Sequence, residues 1–245
     1  MKVEKKLIDA QFKHPFTCLI NGPSGSGKTT FVKNLMEDGD LISTTFDKIY
    51  IFLGTPADQN KIFMSMQSNF PENKVEIIHL TKIYPNLKKS NFKKEITEVL
   101  ENNNKKNLKS CIIFDDLMSE ISDTDILVDM YSKLSTHTNT SIISLTQNLF
   151  HKGSGSSNVT IYRNTKILVV LESRNDTTVF RTLATKFATH EHPARQMMKF
   201  FSSVTAVYRY IVCRGNFDTP EEIKFSTDLF ATFPERHFKA VQPVK

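Results

Sequence analysis

Long hydrophobic runs are missing from this chain of 245 residues. Apolar runs such as Ile167–Leu171 and Cys111–Phe114 are far shorter than the roughly 20 residues that a transmembrane helix needs. The N-terminal segment MKVEKKLIDAQF is charged, and it lacks both the continuous apolar core and the small-residue cleavage site of a secretory signal. These absences argue against a membrane-spanning protein and predict that the protein acts inside a cell.

Cysteine is also scarce. The three cysteines, Cys18, Cys111 and Cys213, are far apart, and each lies in an apolar run that is typical of a strand. Small secreted domains instead carry dense sets of cysteines that form a disulfide framework. The sequence therefore predicts reduced thiols buried in a core.

Negative charge falls slightly short of positive charge. Lys and Arg together number 32 against 26 for Asp and Glu, which gives a net charge of +6 and a pI near 9.1. This balance permits a polyanionic partner without requiring one. Between Lys82 and Lys109 there are eight lysines and three glutamates, so most of the excess is local.

The lysine-rich segment also has a helical pattern. Phe92, Ile96, Val99 and Leu100 recur at helical spacing, which predicts an amphipathic helix with these residues facing inward and lysines on the outer face. A basic outer face of this kind is usually an ordinary solvated surface. It also carries the charge needed to contact the phosphates of a nucleic acid, and the sequence leaves both interpretations open.

Short apolar runs alternate with longer amphipathic stretches along the chain, the pattern of a parallel sheet with crossover helices. We therefore expect an α/β fold. Residues 1–245 are expected to form a single domain, with a core over about 12–190 and a helix-and-strand extension over 191–245. The predicted strands cover 16–21, 48–53, 75–80, 111–114, 141–146, 166–171 and 204–213. The predicted helices cover 28–36, 58–66, the segments around 92–100 and 126–134, and two stretches that begin after Asp176 and at Pro193.

A glycine-rich segment, GPSGSGKTT, follows the first predicted strand and opens the first predicted helix. It satisfies the phosphate-binding pattern of Gly, four residues, Gly, Lys and Ser or Thr, in the context that this pattern requires. Backbone N–H groups of such a loop point at phosphate oxygens, and the positive end of the helix adds to the field. A chance glycine-rich turn is the alternative, which the flanking strand and helix disfavour. The predicted nucleotide-binding residues are Gly22, Pro23, Ser24, Gly25, Ser26, Gly27, Lys28, Thr29 and Thr30.

Two side chains of this loop have specific predicted roles. Lys28 is expected to reach the β- and γ-phosphates as a point charge, and the Thr29 hydroxyl is expected to ligate Mg²⁺. Thr30 has no ligand role of its own. The pattern thus predicts a protein that binds a nucleoside triphosphate together with magnesium.

Two aspartates end the apolar run CIIFDD. An acidic residue at the end of a buried strand holds magnesium in sites of this kind, and we assign that role to Asp115. Asp116 is then the catalytic carboxylate that orients and deprotonates the attacking water, with Glu120 as a second candidate base. Without the phosphate loop, two aspartates that end a strand and cap the next helix would be the simpler interpretation.

Three segments in this order and spacing, GPSGSGKTT, FDDLMSE and SLTQNLFHKG, resemble the DNA-packaging ATPases of the FtsK/HerA superfamily, in particular their poxvirus-like and Polinton-like viral branch. The similarity runs from about Phe12 to His190. It implies a RecA-like P-loop NTPase fold, a three-layer sandwich with a mostly parallel central sheet flanked by helices. In that family a polar residue that ends the strand after the Asp-Asp strand senses the γ-phosphate, which implies this role for Gln147. An amide at the carboxyl edge of a parallel sheet suits the role, because it can hydrogen-bond both phosphate and water.

The resemblance also implies a function. It indicates an ATPase that hydrolyses ATP with Mg²⁺ to drive double-stranded DNA, without sequence preference, through the portal vertex into a viral capsid. Such proteins act as homo-oligomeric rings in the infected host cell, at the virus assembly site or with the virion.

The resemblance implies that, in the ring, an arginine of one subunit stabilises charge at the γ-phosphate of the ATP bound to the neighbouring subunit. The candidates are Arg163, Arg174 and Arg181. Arg174 is the first choice because the family often has Arg-Asp near this position, although the chain has Arg-Asn-Asp here and lacks the usual preceding proline. An ordinary surface arginine is the alternative for each of the three.

Two other functions remain open. A nucleoside or nucleotide kinase also begins with a phosphate loop, but it needs an arginine-bearing lid, and the glycine- and serine-rich loop 151–158 has no arginine. The second open function is an ATP-binding switch or scaffold that hydrolyses ATP negligibly. A motor with its own nuclease is disfavoured, because no carboxylate-rich metal cluster follows His190 in the sequence. His190, His192 and Cys213 match no metal-ligand spacing well.

Overall fold

A computed structural model describes residues 10–54, 61–85, 91–117, 126–147, 160–173, 178–215, 219–230 and 239–243. The strands in these ranges are β1 (Thr17–Asn21), β2 (Lys48–Leu53), β3 (Val75–His79), β4 (Ser110–Asp115), β5 (Thr140–Thr146), β6 (Ile167–Leu171), β7 (Tyr210–Arg214), β8 (Phe225–Thr227) and β9 (Lys239–Ala240). The helices are α1 (Lys28–Glu37), α2 (Lys61–Ser68), α3 (Leu80–Ile83), α4 (Phe92–Lys105), α5 (Ile126–Asp129), α6 (Thr178–Phe187) and α7 (Ala194–Tyr208). Helix α5 continues as a π-helical turn (Met130–Leu134) and a further α-helical turn (Ser135–His137).

The nine described strands belong to one sheet, in the order β3-β2-β4-β5-β1-β6-β7-β8-β9. The strands from β3 to β6 in this order run parallel, whereas β7, β8 and β9 are each antiparallel to the preceding strand. Because parallel strands share a direction, their carboxyl ends meet at one edge of the sheet, where ligands bind in folds of this class. Strand β5 lies between β1 and β4. The residue that follows β5 therefore lies between the segment that follows β1 and the segment that follows β4.

Helices cover both faces of the sheet. Neighbouring residues of a strand point to opposite faces, so Ile113 packs with α1 and α2 while Ile112 packs with α4 and α5. Helices α6 and α7 cover the β1–β6–β7 part of the second face, where Leu19 and Leu168 are buried. This arrangement confirms the predicted α/β three-layer sandwich, and it explains why the parallel strands are continuous apolar runs rather than alternating ones.

The last predicted strand, 204–213, is partly wrong. Residues 204–208 complete α7, and β7 begins only at Tyr210. Arg209 ends the helix in the left-handed conformation, with φ 69°, and its backbone N–H donates to the Thr205 carbonyl. Val204 and Thr205 are β-branched and favour strands locally, but both are buried on the inner side of the helix. Burial in the tertiary structure therefore outweighs the local preference for a strand at these residues. Strands β8 and β9 follow β7 in the chain.

Two smaller differences concern element boundaries. Val99 is 39% exposed rather than inward-facing, because the inner face of α4 is set by Phe92, Ile96 and Leu100 at four-residue intervals. The strand predicted at 75–80 ends at His79, since Leu80 already begins α3.

Some predictions lie outside the described residues. These are the candidate base Glu120, the first-choice arginine Arg174, the loop 151–158 and the first part of the helix predicted at 58–66. The described part of that helix is α2, which is assigned from Lys61.

The three cysteines lie in three different strands of the sheet. Cys18 in β1, Cys111 in β4 and Cys213 in β7 are all free and buried, which confirms the prediction of reduced core thiols. Among the described helices, none combines the length and the apolar character that crossing a bilayer requires.

Candidate functional site

The glycine-rich segment forms a turn between the end of β1 and the start of α1. Gly27 is the residue before the helix, with φ 97°, a conformation that favours glycine. Gly22 is close-packed: a Cβ atom there would lie 2.6 Å from Ser26 Oγ and 2.9 Å from Leu171 Cβ. Its backbone N–H donates to the Thr146 carbonyl at the end of β5, 3.2 Å away. The base of the loop is thus fixed between β5 and β6.

Lys28 opens α1 and folds back over this loop. Its Nζ donates to the Gly22 carbonyl at 2.8 Å and to the Pro23 carbonyl at 3.0 Å, and the residue is only 9% exposed. Burial lowers the pKa of the Lys28 ammonium, while the nearby carboxylates of Asp116 and Asp115 act in the opposite direction. The ammonium is therefore held where a phosphate could replace the two carbonyls as its partner.

Asp115 and Asp116 stand at the end of β4, as the sequence predicted. Asp115 is the last residue of the strand and pairs in register with Leu145 of β5 and Leu53 of β2. Asp116 has φ 54°, so the chain turns sharply there. Both aspartates line the same cavity.

Gln147 follows the end of β5 and contacts the second of these carboxylates. Its Nε2 donates a hydrogen bond of 2.8 Å to Asp116 Oδ2. The strand order causes this contact, because β5 separates β1 from β4 and delivers Gln147 between their carboxyl ends. The carbonyl of the Gln147 amide can accept a hydrogen bond, and so can the Asp116 carboxylate, so together they can orient a water molecule.

These groups line one cavity of about 310 Å³. It brings together Lys28, Thr29, Asp115, Asp116 and Gln147, which the sequence placed in one site from three separate segments. Ile62 of α2 also lines the cavity and was missed, because an apolar helical residue carries no chemical signal in the sequence. Thr30, to which no ligand role was given, contributes to the wall as well. The lining residues are Ser24, Gly25, Gly27, Lys28, Thr29, Thr30, Ile62, Asp115, Asp116 and Gln147.

The donor set of the cavity suits a hard cation that is also held by phosphate. The Thr29 hydroxyl and the Asp115 carboxylate are oxygen donors of the type that Mg²⁺ prefers. Within the described ranges, no group of three or more His, Cys, Asp and Glu side chains forms a metal site by itself. An ion at Thr29 and Asp115 would therefore need further ligands from a bound phosphate and from water.

The described candidate arginines do not line this cavity. Arg163 is exposed and precedes β6, so it lies toward the edge of the sheet opposite the loop. Arg181 is exposed on α6, which follows the carboxyl end of β6. The role of an arginine supplied to a neighbouring subunit stays a prediction for Arg163, Arg174 and Arg181.

Comparisons with known proteins agree with this geometry. The family described as poxvirus A32 protein matches residues 4–212 of the chain, while no curated protein matches it. Among solved structures, B204, the DNA-packaging ATPase from Sulfolobus Turreted Icosahedral Virus, aligns with a TM-score of 0.54 at 13% identity, covering 82% of this chain and 93% of B204. At this identity the likeness shows the fold alone, and it agrees with the predicted α/β fold with a mostly parallel central sheet.

Two further solved structures match with TM-scores of 0.46. The cytoplasmic domain of the type VII secretion ATPase EccC from Thermomonospora curvata is 14% identical, over 64% of this chain and 20% of that one. The type III secretion ATPase EscN from enteropathogenic E. coli is 13% identical, over 80% of this chain and 56% of that one.

Proposed function

This chain belongs to the poxvirus A32 protein family, and on that premise we propose that it is a Mg²⁺-dependent ATPase that packages double-stranded viral DNA into a capsid. The observation that carries the proposal is the single cavity in which a phosphate loop faces Asp115, Asp116 and Gln147. The fold shared with B204, a viral DNA-packaging ATPase, supports the choice of this function for the site.

The loop is proposed to hold the triphosphate of ATP. The backbone N–H groups of the loop residues after Pro23 and the N-terminus of α1 supply positive potential, and Lys28 supplies a full charge. Bound phosphate would draw the Lys28 ammonium away from the carbonyls of Gly22 and Pro23, which it contacts in the free protein. Thr29 and Asp115 would hold Mg²⁺, which neutralises charge on the phosphates when it is bound.

The hydrolysis step is assigned to the Asp116–Gln147 pair. The Gln147 amide holds one carboxylate oxygen of Asp116, so the pair presents a fixed set of acceptors on the β4–β5 side of the loop. A water held there could attack the γ-phosphate, with Asp116 accepting its proton. Most of the rate enhancement would come from positioning and charge neutralisation, because phosphoryl transfer needs little covalent participation by the protein.

Double-stranded DNA is proposed to contact the protein through its phosphates, without sequence preference. Part of the basic face of α4 is already neutralised, since Lys93 forms an ion pair with Asp129 and Lys94 lies 3.9 Å from Glu98. Lys105 and Lys106, exposed at the end of α4, are the better candidates for DNA contact. A homo-oligomeric ring, with an arginine such as Arg174 acting on the neighbouring subunit's ATP, is part of the same proposal.

The proposal is tested by measuring ATP hydrolysis with and without double-stranded DNA. We expect turnover that DNA stimulates and that Lys28→Ala and Asp116→Asn each reduce by at least about 100-fold. Lys33→Ala is the matched control, because Lys33 lies on the same helix, is absent from the cavity lining and pairs with Glu37, 3.0 Å away at the surface. This control should retain the wild-type rate.

Two results would point to the other functions. Tight ATP binding by an oligomeric protein, with no turnover in the presence of DNA, would favour an ATP-binding switch. Transfer of the γ-phosphate to a nucleoside or nucleotide, rather than to water, would favour a kinase.

A further inference from the structure

The edge of the sheet opposite the cavity is formed by the segments that lead into the parallel strands, and we call it the amino edge. Helix α4 ends at this edge with Lys105, and the residues up to Lys109 lead into β4. Lys166 directly precedes β6, and His14 lies three residues before β1. The strand order β4-β5-β1-β6 therefore brings cationic and titratable side chains from distant parts of the chain onto one edge.

These side chains lie close enough to affect one another. Burial lowers the pKa of the His14 imidazole, and the ammonium groups of Lys109 and Lys166 lower it further. Three strand-to-strand steps of about 4.8 Å separate β4 from β6, so the segments that carry the two lysines are about 14 Å apart. Lys105 and Lys106 are exposed in the same connection as Lys109 and extend the positive charge toward α4.

Neutral oxygens, rather than carboxylates, hold the ammonium groups. Lys109 Nζ donates to Thr44 Oγ1 at 2.6 Å, and Lys166 Nζ donates to the Pro15 carbonyl at 3.0 Å. The Asp47 carboxylate accepts the Lys109 backbone N–H at 2.7 Å. In the part of the chain that the structure describes, neither lysine has an ion-pair partner. Because the like charges repel each other, binding of a polyanion stabilises this edge.

The lysines of the α4–β4 connection are unpaired as well. Lys105 and Lys106 form no ion pair with a described residue, whereas Lys93 and Lys94 earlier on α4 face Asp129 and Glu98. The positive charge that remains available to a ligand is therefore concentrated at the amino edge and not along the whole helix.

The two edges of the sheet differ in charge. The Asp115 and Asp116 carboxylates line the cavity at the carboxyl edge and repel a polyanion there. Strands of five to seven residues, roughly 15–20 Å long, separate the two edges. Duplex DNA carries one negative charge per about 1.7 Å of its axis, so the 14 Å between the two lysine segments corresponds to about eight phosphate charges.

We infer that the amino edge is the surface that contacts double-stranded DNA, with Lys105, Lys106, Lys109 and Lys166 bound to backbone phosphates. The inference rests on the proposed function and adds to it the place of DNA binding, on the side of the sheet away from the ATP site. Lysine acts as a point charge toward phosphate, which suits binding without sequence preference.

The test measures binding of a short duplex of random sequence by fluorescence anisotropy at several salt concentrations. Lys109→Gln with Lys166→Gln should weaken binding at least about tenfold and reduce the slope of log K against log salt by about 2, because two phosphate contacts are lost. Lys105→Gln with Lys106→Gln should do the same. The matched control is Lys93→Gln with Lys94→Gln, which removes the same net charge from α4 and should change the slope by less than about 0.5.

Stimulation of ATP hydrolysis by DNA should fall in both amino-edge variants and persist in the control. Thermal unfolding shows whether each variant is folded, and the exposed Lys105–Lys106 pair keeps the test decisive if the partly buried Lys166 is needed for the fold. Amino-edge variants with the wild-type slope and affinity would overturn the inference, and so would an equal loss in the control. If DNA still stimulates all variants equally, the inference fails while the proposed function stands. A wild type that binds no duplex DNA would overturn both.

Discussion

At the scale of single residues, the phosphate loop shows two different reasons for glycine. Gly27 needs a left-handed backbone, whereas Gly22 needs space, because Ser26 and Leu171 occupy the volume of a side chain. The second reason is not readable from the sequence, since Leu171 is far from the loop along the chain. Gly39, which lies beyond the end of α1, has no atom within 4 Å of an added Cβ and provides a comparison.

We expect Gly22→Ala to weaken ATP binding by at least tenfold and to lower the free energy of unfolding by about 1–3 kcal/mol, because the loop must move away from Ser26 and Leu171. Gly39→Ala should change the free energy of unfolding by less than about 0.5 kcal/mol and leave binding unchanged. Titration with a fluorescent ATP analogue and urea denaturation measure the two quantities. Equal behaviour of the two variants would contradict the close-packing argument.

At the scale of elements, helix α4 is attached to the sheet by one polar side chain as well as by its apolar face. Asn103 Nδ2 donates to the Tyr50 hydroxyl of β2 at 2.9 Å and to Ser110 Oγ of β4 at 3.1 Å. Burial raises the pKa of the Tyr50 hydroxyl, and the hydrogen bond from Asn103 acts against that shift. In the sequence this asparagine is one of three in a row, and nothing there distinguishes it from its neighbours.

Asn103→Ala should lower the free energy of unfolding by about 1–2 kcal/mol, because the buried Ser110 hydroxyl and the Tyr50 hydroxyl lose a shared donor. Asn102→Ala is the control, since Asn102 is exposed on the same helix and should cost less than about 0.5 kcal/mol. Chemical denaturation of both variants gives the comparison. A loss as large for Asn102→Ala as for Asn103→Ala would contradict the polar anchor, because alanine favours a helix more than asparagine does and the helix itself would gain from either substitution.

At the scale of the whole molecule, one sheet joins the proposed nucleotide site to the C-terminal strands. The parallel strands carry the loop, the aspartates and Gln147, and β7 to β9 extend the same sheet on the far side of β6. The three cysteines lie in strands β1, β4 and β7 of this sheet. Burial raises the pKa of the Cys213 thiol to about 12 and raises the pKa values of the Cys18 and Cys111 thiols further.

The folded protein is therefore expected to be inert toward a thiol reagent, because attack requires the thiolate and access to it. Ellman's reagent should titrate none of the three cysteines within minutes at neutral pH and all three in guanidinium chloride. Rapid release of one equivalent from the native protein would show that one of these strands opens without global unfolding.

Local patterns in the sequence were sufficient for much of the fold. The strands at 48–53, 111–114 and 141–146 and the helix at 28–36 were predicted nearly as they occur in β2, β4, β5 and α1. Prediction failed where local preference and tertiary burial disagreed, as at residues 204–208. The glycine-rich turn before α1 and the Asp115–Asp116 pair at the end of β4 were also located from the sequence, because each lies within one continuous segment.

The sequence by itself determined which residues are proposed to bind phosphate, since the glycine-rich turn, Lys28 and the start of α1 form one continuous segment. It did not determine how separate segments meet. Only the tertiary structure decided that β5 lies between β1 and β4, so that Gln147 reaches Asp116 across 31 residues of chain. It likewise decided that β7 turns back beside β6 and sets Arg209 against Glu172. Strand order depends on long-range packing of two sheet faces, and no local pattern encodes it.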